Sequence, residues 1–375
     1  MAKSNPKLVF IVGAGFSLYA GIPLQMDFTD ALLSGRGEAS GNSGKIVHHL
    51  REFVNRAFDH KTTAGAQFWP ELEDIFTCID LSANTGHNLG PQFSPSELRT
   101  IRRALIYRII TMLRERYRDA RERKDEDWQT LLKFFESVRP RGVGFIATNW
   151  DTVIEDMLTE SHGVRKFDYG CDGISATLRT AHKEIKETET TGTSVPVVKM
   201  HGSVNWLYCD NCRSLFSMQA DQTYKVAGQL LSSEDWKRID PDTRHANDRW
   251  HCGRCGGNSL GTRFATFSYR KALDFPMFQK SWFSAERLLR EANNWIFIGY
   301  SLPAADFEFK YLLKRVQLSR RSAPNFAVVS GGERAEQAYQ HYQRFFGRKI
   351  MKSENFFFHG LDKDAVDYIA DLLSA

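Results

Sequence analysis

Four cysteines, a histidine, an asparagine and an aspartate are the residues in this chain whose types and spacing could do chemistry. Cys209-x-x-Cys212 and Cys252-x-x-Cys255 stand 39 residues apart. Two thiolates three positions apart on a turn can face one ion, and two such knuckles complete a tetrahedral zinc site. Four thiolates close the coordination shell, so the metal predicted is structural and not catalytic. Asn149 and Asp151 follow one short apolar run, His201 follows a second and Ser301 a third. Each has an ordinary reading as well: Asp151 as a helix N-terminal charge, His201 as a hydrogen-bonded core histidine, Ser301 as a helix cap. An imidazole with an unperturbed pKa of roughly 6.5 can also take a proton at neutral pH. An amide can position a nucleophile without competing as a base.

These groups need a scaffold that brings strand ends together. Leu8–Val12 reads as a buried strand and runs straight into Gly13-Ala14-Gly15-Phe16-Ser17, then Gly21-Ile22-Pro23. Glycines at 13 and 15 permit a tight turn and close approach of a pyrophosphate, with N–H groups of a following helix adding partial positive charge. Leu18 stands where the dinucleotide fingerprint has its third glycine, so the turn alone is a weak signal. Further strands are expected at 143–148, 195–200, 295–298, 326–329 and 355–358, alternating with helices at 152–160, 283–292, 306–316, 333–344 and 363–373. That alternation predicts an α/β fold with a mostly parallel, Rossmann-like sheet covered by helices, and ligands in such sheets bind at the carboxyl ends of the strands. Helices over 46–58, 70–81, 95–124 and 128–138 read as a helical insertion, and a helix over 232–237 falls between the knuckles. The organisation expected is a nucleotide-binding domain over 1–45, 139–204 and 266–375, the insertion over 46–138, and a zinc-binding module over 205–265.

Composition is that of a globular protein, with 25% charged and 42% hydrophobic residues in 375. No apolar run reaches 18 residues and the start lacks the apolar core of a secretory signal, so a cytoplasmic protein is expected, with no membrane segment. Six cysteines in such a chain do not indicate a disulfide framework. Cys78 and Cys171 read as incidental thiols. The basic residues concentrate in Arg99–Lys124, where Glu115, Asp119, Glu122, Asp125 and Glu126 interleave with them; a solvated helix face is favoured there over a nucleic-acid surface.

Taken together and in order, Gly13-Ala-Gly15-Phe-Ser17 with Gly21-Ile22-Pro23, Thr148-Asn149-Trp150-Asp151, His201-Gly202, the paired knuckles and Gly299-Tyr300-Ser301-Leu302 resemble the sirtuin family. The likeness runs from Lys7 to about Gly332 and is weakest over Ile46–Val138. It implies NAD+ as the bound nucleotide and substrate, beside a structural zinc. Gly13, Ala14, Gly15 and Ser17 would line the phosphate and ribose pocket, with Ile22 and Pro23 beside the nicotinamide. Asn149 would hold the nicotinamide ribose or an attacking water, Asp151 the carboxamide, and His201 would be the general base. Gly299 and Ser301 would contact the adenosine half, with Ser330 near the adenine.

Departures from the family pattern sort its branches. Leu24-Gln25-Met26 replaces the Phe-Arg of protein deacylases, and Ala265–Lys271 lacks the strand-forming signature that holds an acyl-lysine peptide. Gly-Tyr-Ser-Leu-Pro followed by Asp306 resembles sirtuin-like bacterial anti-phage proteins that hydrolyse NAD+ outright. The expectation is an NAD+ glycohydrolase, acting as a homo-oligomer or with a HerA-like hexameric ATPase partner. An NAD-dependent protein deacylase and a non-catalytic NAD or ADP-ribose sensor are the alternatives.

Overall fold

The computed structural model describes residues 7–33, 41–59, 69–219, 222, 225, 227–228, 230–242, 250–264 and 276–374. The expected loop at 34–44 therefore falls largely outside the described residues, and segment 265–271 wholly so. Strands in chain order are β1 (Leu8–Val12), β2 (Val143–Ala147), β3 (Lys166–Asp168), β4 (Gly173–Arg179), β5 (Glu184–Glu187), β6 (Ser194–Lys199), β7 (Gly202–Cys209), β8 (Leu215–Met218), β9 (His251–Cys252), β10 (Leu260–Phe264), β11 (Asn294–Ile298), β12 (Asn325–Val329) and β13 (Phe356–Phe357). The helices are α1 (Ala14–Ser17), α2 (Gln25–Leu33), α3 (Asn42–Ala57), α4 (Leu72–Thr85), α5 (Pro95–Arg123), α6 (Glu126–Ser137), α7 (Val153–His162), α8 (Ser233–Ile239), α9 (Pro276–Glu291), α10 (Phe307–Ser319), α11 (Ala335–Phe346) and α12 (Lys363–Ser374).

Seven strands form one parallel sheet in the order β13-β12-β11-β1-β2-β6-β3. The uninterrupted apolar run of β1 follows from burial on both faces. Phe10 and Val12 join the core beneath α2–α7 and α12, where the Phe10 ring lies 5.1 Å from Phe145 and 5.4 Å from Phe134. Val9 and Ile11 join the opposite core, under α9, α10 and α11. The helices over 46–138 thus cover one face of the sheet. Among the described residues, no helix is long and apolar enough to cross a membrane.

A second, mixed sheet has the order β10-β7-β8-β4-β5-β9. Its strands start at residue 173, ahead of the 205 at which the sequence reading begins the zinc module. Strand β4 alternates Ile174, Ala176 and Leu178 with Ser175, Thr177 and Arg179, as a strand with one wet face does, whereas β5 has Ile185 as its one apolar residue. Strand β7 follows β6 after Met200 and His201 alone, so the two sheets are joined through the candidate base itself.

Helix α5 starts at a capping box between Ser94 and Glu97. Part of its basic run is internal: Arg103 and Thr100 bind Asp235 of α8, Arg102 binds Asp80, and buried Arg108 reaches Glu115 and the Leu32 carbonyl. The helix between the knuckles is thereby docked on α5.

One contact sets how closely β1 and β11 end. A Cβ built on Gly13 would stand 2.7 Å from the Gly299 carbonyl oxygen, and one on Gly299 would stand 2.1 Å from the Phe16 nitrogen. Gly299 also has φ +61, which costs an L side chain about 1–2 kcal/mol before any clash. Gly299→Ala is expected to destabilise the chain by at least about 2 kcal/mol in a urea titration, with the m-value unchanged.

Candidate active site

The ends of β12, β11, β1, β2 and β6 lie side by side, and each carries residues singled out in the sequence. Ser330 follows β12, Gly299 and Ser301 follow β11, Gly13–Ser17 follow β1, Asn149 and Asp151 follow β2, and His201 follows β6. Ala14 and Ser301 are exposed, Gly15, Gly299, Pro23 and Ser330 are half-buried, and Gly13 and Ile22 are buried.

The glycine turn is closed from behind. Gly13 N–H donates to the Ile298 carbonyl at 3.1 Å, Gly15 N–H to Gly299 at 2.9 Å and Phe16 N–H to Gly13 at 3.0 Å. The space where Cβ atoms would sit is filled by Gly299 and Tyr300. Helix α1 is one turn long, too short to sum a strong dipole. The glycines therefore serve backbone-to-backbone packing here, and these three N–H groups are spent on protein carbonyls.

Ser17 is 1% exposed and links its neighbours. Its hydroxyl donates to Asp151 Oδ2 at 2.7 Å and accepts from Asn149 Nδ2 at 2.8 Å. Asn149 Nδ2 donates again to the Gly13 carbonyl at 2.9 Å. Both N–H bonds of that amide are committed, so Asn149 offers a ligand the acceptor Oδ1. Asp151 Oδ1 accepts from Val153 N–H at 3.1 Å, which makes Asp151 the starter of α7 as well as Ser17's partner.

Behind this cluster lies a buried ion pair absent from the sequence reading. The Lys199 ammonium, fully buried, sits 3.2 Å from Glu155 Oε2 and donates to the Asp151 carbonyl at 2.5 Å. Burial leaves the Glu155 carboxyl raised above its ordinary range, with Lys199 offsetting part of that rise. A lysine closing the apolar run of β6 was the available signal.

His201 Nδ1 lies 3.1 Å from the Thr148 carbonyl oxygen, an acceptor only, so Nδ1 carries the proton there. In the neutral ring Nε2 is then the basic atom. Asp306 Oδ1 lies 3.7 Å from it. A cleft of about 370 Å³ opens beside Asp151, lined by Ile22, Val204, Arg114, Tyr117 and Arg118 among others.

The four knuckle sulfurs lie within 4.8 Å of one another, with Cys209–Cys255 at 3.7 Å and Cys212–Cys252 at 3.6 Å. Tetrahedral zinc with bonds of about 2.3 Å needs sulfur–sulfur edges of about 3.8 Å, so the donor set fits. The Asn211 amide, then the Gly257 N–H, hold the Cys255 thiol down at about 6. In the sheet order, β7 and β9 are four steps apart, roughly 19 Å if flat. The sulfurs meet because the sheet curls, and a bound zinc would close that curl.

No protein-family model matches this chain, and no curated protein matches it. Several solved structures of Sir2 enzymes do. A structure on sirtuin substrate affinity has 12% identity and a TM-score of 0.39, covering 98% of this chain and 95% of that one. A Sir2 structure with a p53 peptide and NAD+ has 14% identity and a TM-score of 0.36, covering 99% and 93%. A Sir2 structure bound to an acetylated peptide has 13% identity and a TM-score of 0.35, covering 99% and 93%.

Two outcomes test the geometry. Lys199→Met strands the Glu155 carboxyl in the core and is expected to cost about 3–5 kcal/mol, partly restored in the Lys199→Met/Glu155→Leu double variant, as read by denaturant titration. Purified protein is expected to carry stoichiometric zinc by elemental analysis; Cys209→Ser should lose it and expose 202–264 to limited proteolysis.

Proposed function

We propose that this chain is an NAD+ glycohydrolase, releasing nicotinamide and ADP-ribose. The observation that carries the reading is the joint placement of Asn149, Asp151 and His201 at adjacent strand ends, with Ser17 binding the first two together. Five collinear motifs resembling sirtuins supply the substrate class.

The residues suit the chemistry. Cleaving a glycosidic bond passes through an oxocarbenium-like sugar, and nicotinamide leaves as a neutral molecule from a cationic substrate, so no general acid is required. What the protein must supply is orientation and an activated nucleophile. His201 Nε2, with Nδ1 held by Thr148, is set to take the proton of a water or ribose hydroxyl. Asn149 Oδ1 is set to accept a hydrogen bond from that nucleophile or from the ribose. Ile22 and Pro23 would flank the nicotinamide with Asp151 toward its carboxamide, and Ala14, Gly15, Gly299, Ser301 and Ser330 would face the rest of the nucleotide.

Hydrolysis is preferred over deacylation because Leu24-Gln25-Met26 follows the Gly-Ile-Pro turn, with Met26 61% exposed. An enzyme that consumes NAD+ freely must be restrained. The reading therefore extends to a cytoplasmic effector of abortive anti-phage defence, restrained by homo-oligomerisation or by a HerA-like ATPase partner.

Incubation with NAD+ alone is expected to release nicotinamide steadily without any acylated peptide. His201→Ala should lower that rate by about 10²–10⁴-fold and Asn149→Ala should abolish it, both with unchanged circular dichroism. Strict dependence on an acyl-lysine peptide would make the chain a deacylase. Saturable NAD+ binding without turnover, unaffected by His201→Ala, would make it a sensor.

A further inference from the structure

We infer that Asp306 is a positioning residue for His201, holding a negative charge against Nε2 so that the imidazole becomes a stronger base. This rests on the proposed role of His201 and adds a residue to it.

The geometry comes from the turn after β11. Gly299 at φ +61 and Leu302 at φ +56 wind the chain back on itself. Leu302 is 4% exposed and has a side chain, so it holds a left-handed conformation that only a well-packed surrounding sustains. Strain of that kind concentrates at functional sites. The result of the winding is that Asp306, 7% exposed, reaches His201, 8% exposed. Among the described residues, two tyrosines hold the turn and the carboxylate. Tyr300 O–H donates to Asp306 Oδ2 at 3.2 Å, and Tyr342 O–H donates to the Tyr300 carbonyl at 2.6 Å. Burial first, and then the Asp306 charge, push the Tyr300 phenol well above its ordinary range, so it stays a neutral donor. With Oδ2 bound by Tyr300, Oδ1 is the oxygen 3.7 Å from Nε2.

That separation exceeds a hydrogen bond and suits an ion pair once Nε2 is protonated. The proton account is simple. In the hydrolysis NAD+ and water give nicotinamide, ADP-ribose and a proton. The nucleophile's O–H bond breaks as an N–H bond forms at Nε2, the second ring proton stays on Nδ1 against Thr148, and the imidazolium later releases the Nε2 proton to solvent. Asp306 stabilises the imidazolium between those events. Among the described residues, the charged groups at the neighbouring ends of β2 and β6 have partners of their own: Asp151 accepts from Ser17 and Val153, and Lys199 serves Glu155 and the Asp151 carbonyl.

The sign of the effect is fixed. A carboxylate beside a base raises its pKa, so the acid limb of NAD+ hydrolysis, where His201 must lose its proton, lies higher with Asp306 present. Asp306→Asn keeps the acceptor for Tyr300 and removes the charge. The acid limb is expected to move down by about one pH unit, with the plateau rate falling by about 3–10-fold. A residue that only braced the turn would lower activity or stability and leave the limb where it was.

A second readout needs no turnover. In the full chain with nitrogen-labelled histidine, and without NAD+, the His201 resonance, assigned by its loss in His201→Ala, is expected to titrate about one unit lower in Asp306→Asn than in wild type. An unmoved titration overturns the inference whatever the hydrolysis assay gives. A shifted titration in a chain that does not hydrolyse NAD+ upholds the charge pair and sinks the glycohydrolase reading. If Asp306→Asn fails to fold, Asp306→Ser removes the same charge with a smaller side chain, and the same two outcomes apply.

Discussion

Backbone packed on backbone, between the turn after β1 and the turn after β11, is the constraint on which the candidate site depends. Gly13, Gly15 and Gly299 leave no room for a β-carbon between them. The two strand ends can therefore approach until the Gly15 N–H reaches the Gly299 carbonyl. The short α1 that follows carries Ser17 to the end of β2. Its hydroxyl then ties Asn149 to Asp151. The same contact orients the start of the turn that returns Asp306 to His201, so the Ser17 cluster and the Asp306–His201 pair both rest on it.

Buried charge surrounds the site on two sides, with different consequences. Lys199 and Glu155 form a pair shut away from water, linked to the candidate site through the Asp151 carbonyl. Such a pair is weak evidence of net stability, yet breaking it is costly because the survivor stays desolvated. It braces the loop that presents Asn149 and Asp151. Asp306 and His201 differ in that one partner changes its protonation state during the proposed reaction. Exposed pairs along α5, such as Arg118 with Asp119, contribute little by comparison. The internal pair of Arg103 with Asp235 matters more, because it docks the chain between the knuckles onto the helical layer.

The cysteine set acts at a distance. Strand β7 leaves His201 and ends at Cys209, so whatever holds the knuckles together also holds the strand that emerges from the candidate base. A closed four-sulfur site suits that structural task, with no coordination position left for a reactant.

Much of this was legible in the sequence by itself. An apolar run such as Leu8–Val12 can lie only between two layers, and its alternation with helices dictates a parallel sheet with its ligand end at the strand carboxyl termini. Cysteine spacing alone pointed to the four sulfurs that come together, because each knuckle is a local turn. That Asn149, Asp151 and His201 stand at strand ends was readable for a similar reason, since each lies within four positions of an apolar run. Strand β5, with Ile185 as its one apolar residue, was not; β4 alternates Ile174, Ala176 and Leu178 with Ser175, Thr177 and Arg179, a strand signal present in the sequence but short and bounded by polar loops. Contacts between segments far apart in the chain were decided only by the tertiary structure. Ser17 meets Asp151 across 134 positions, and Asp306 meets His201 from a different strand end. Nothing local in either segment encodes such a meeting; it follows from strand order, from the room that missing β-carbons allow, and from the winding of one strained turn.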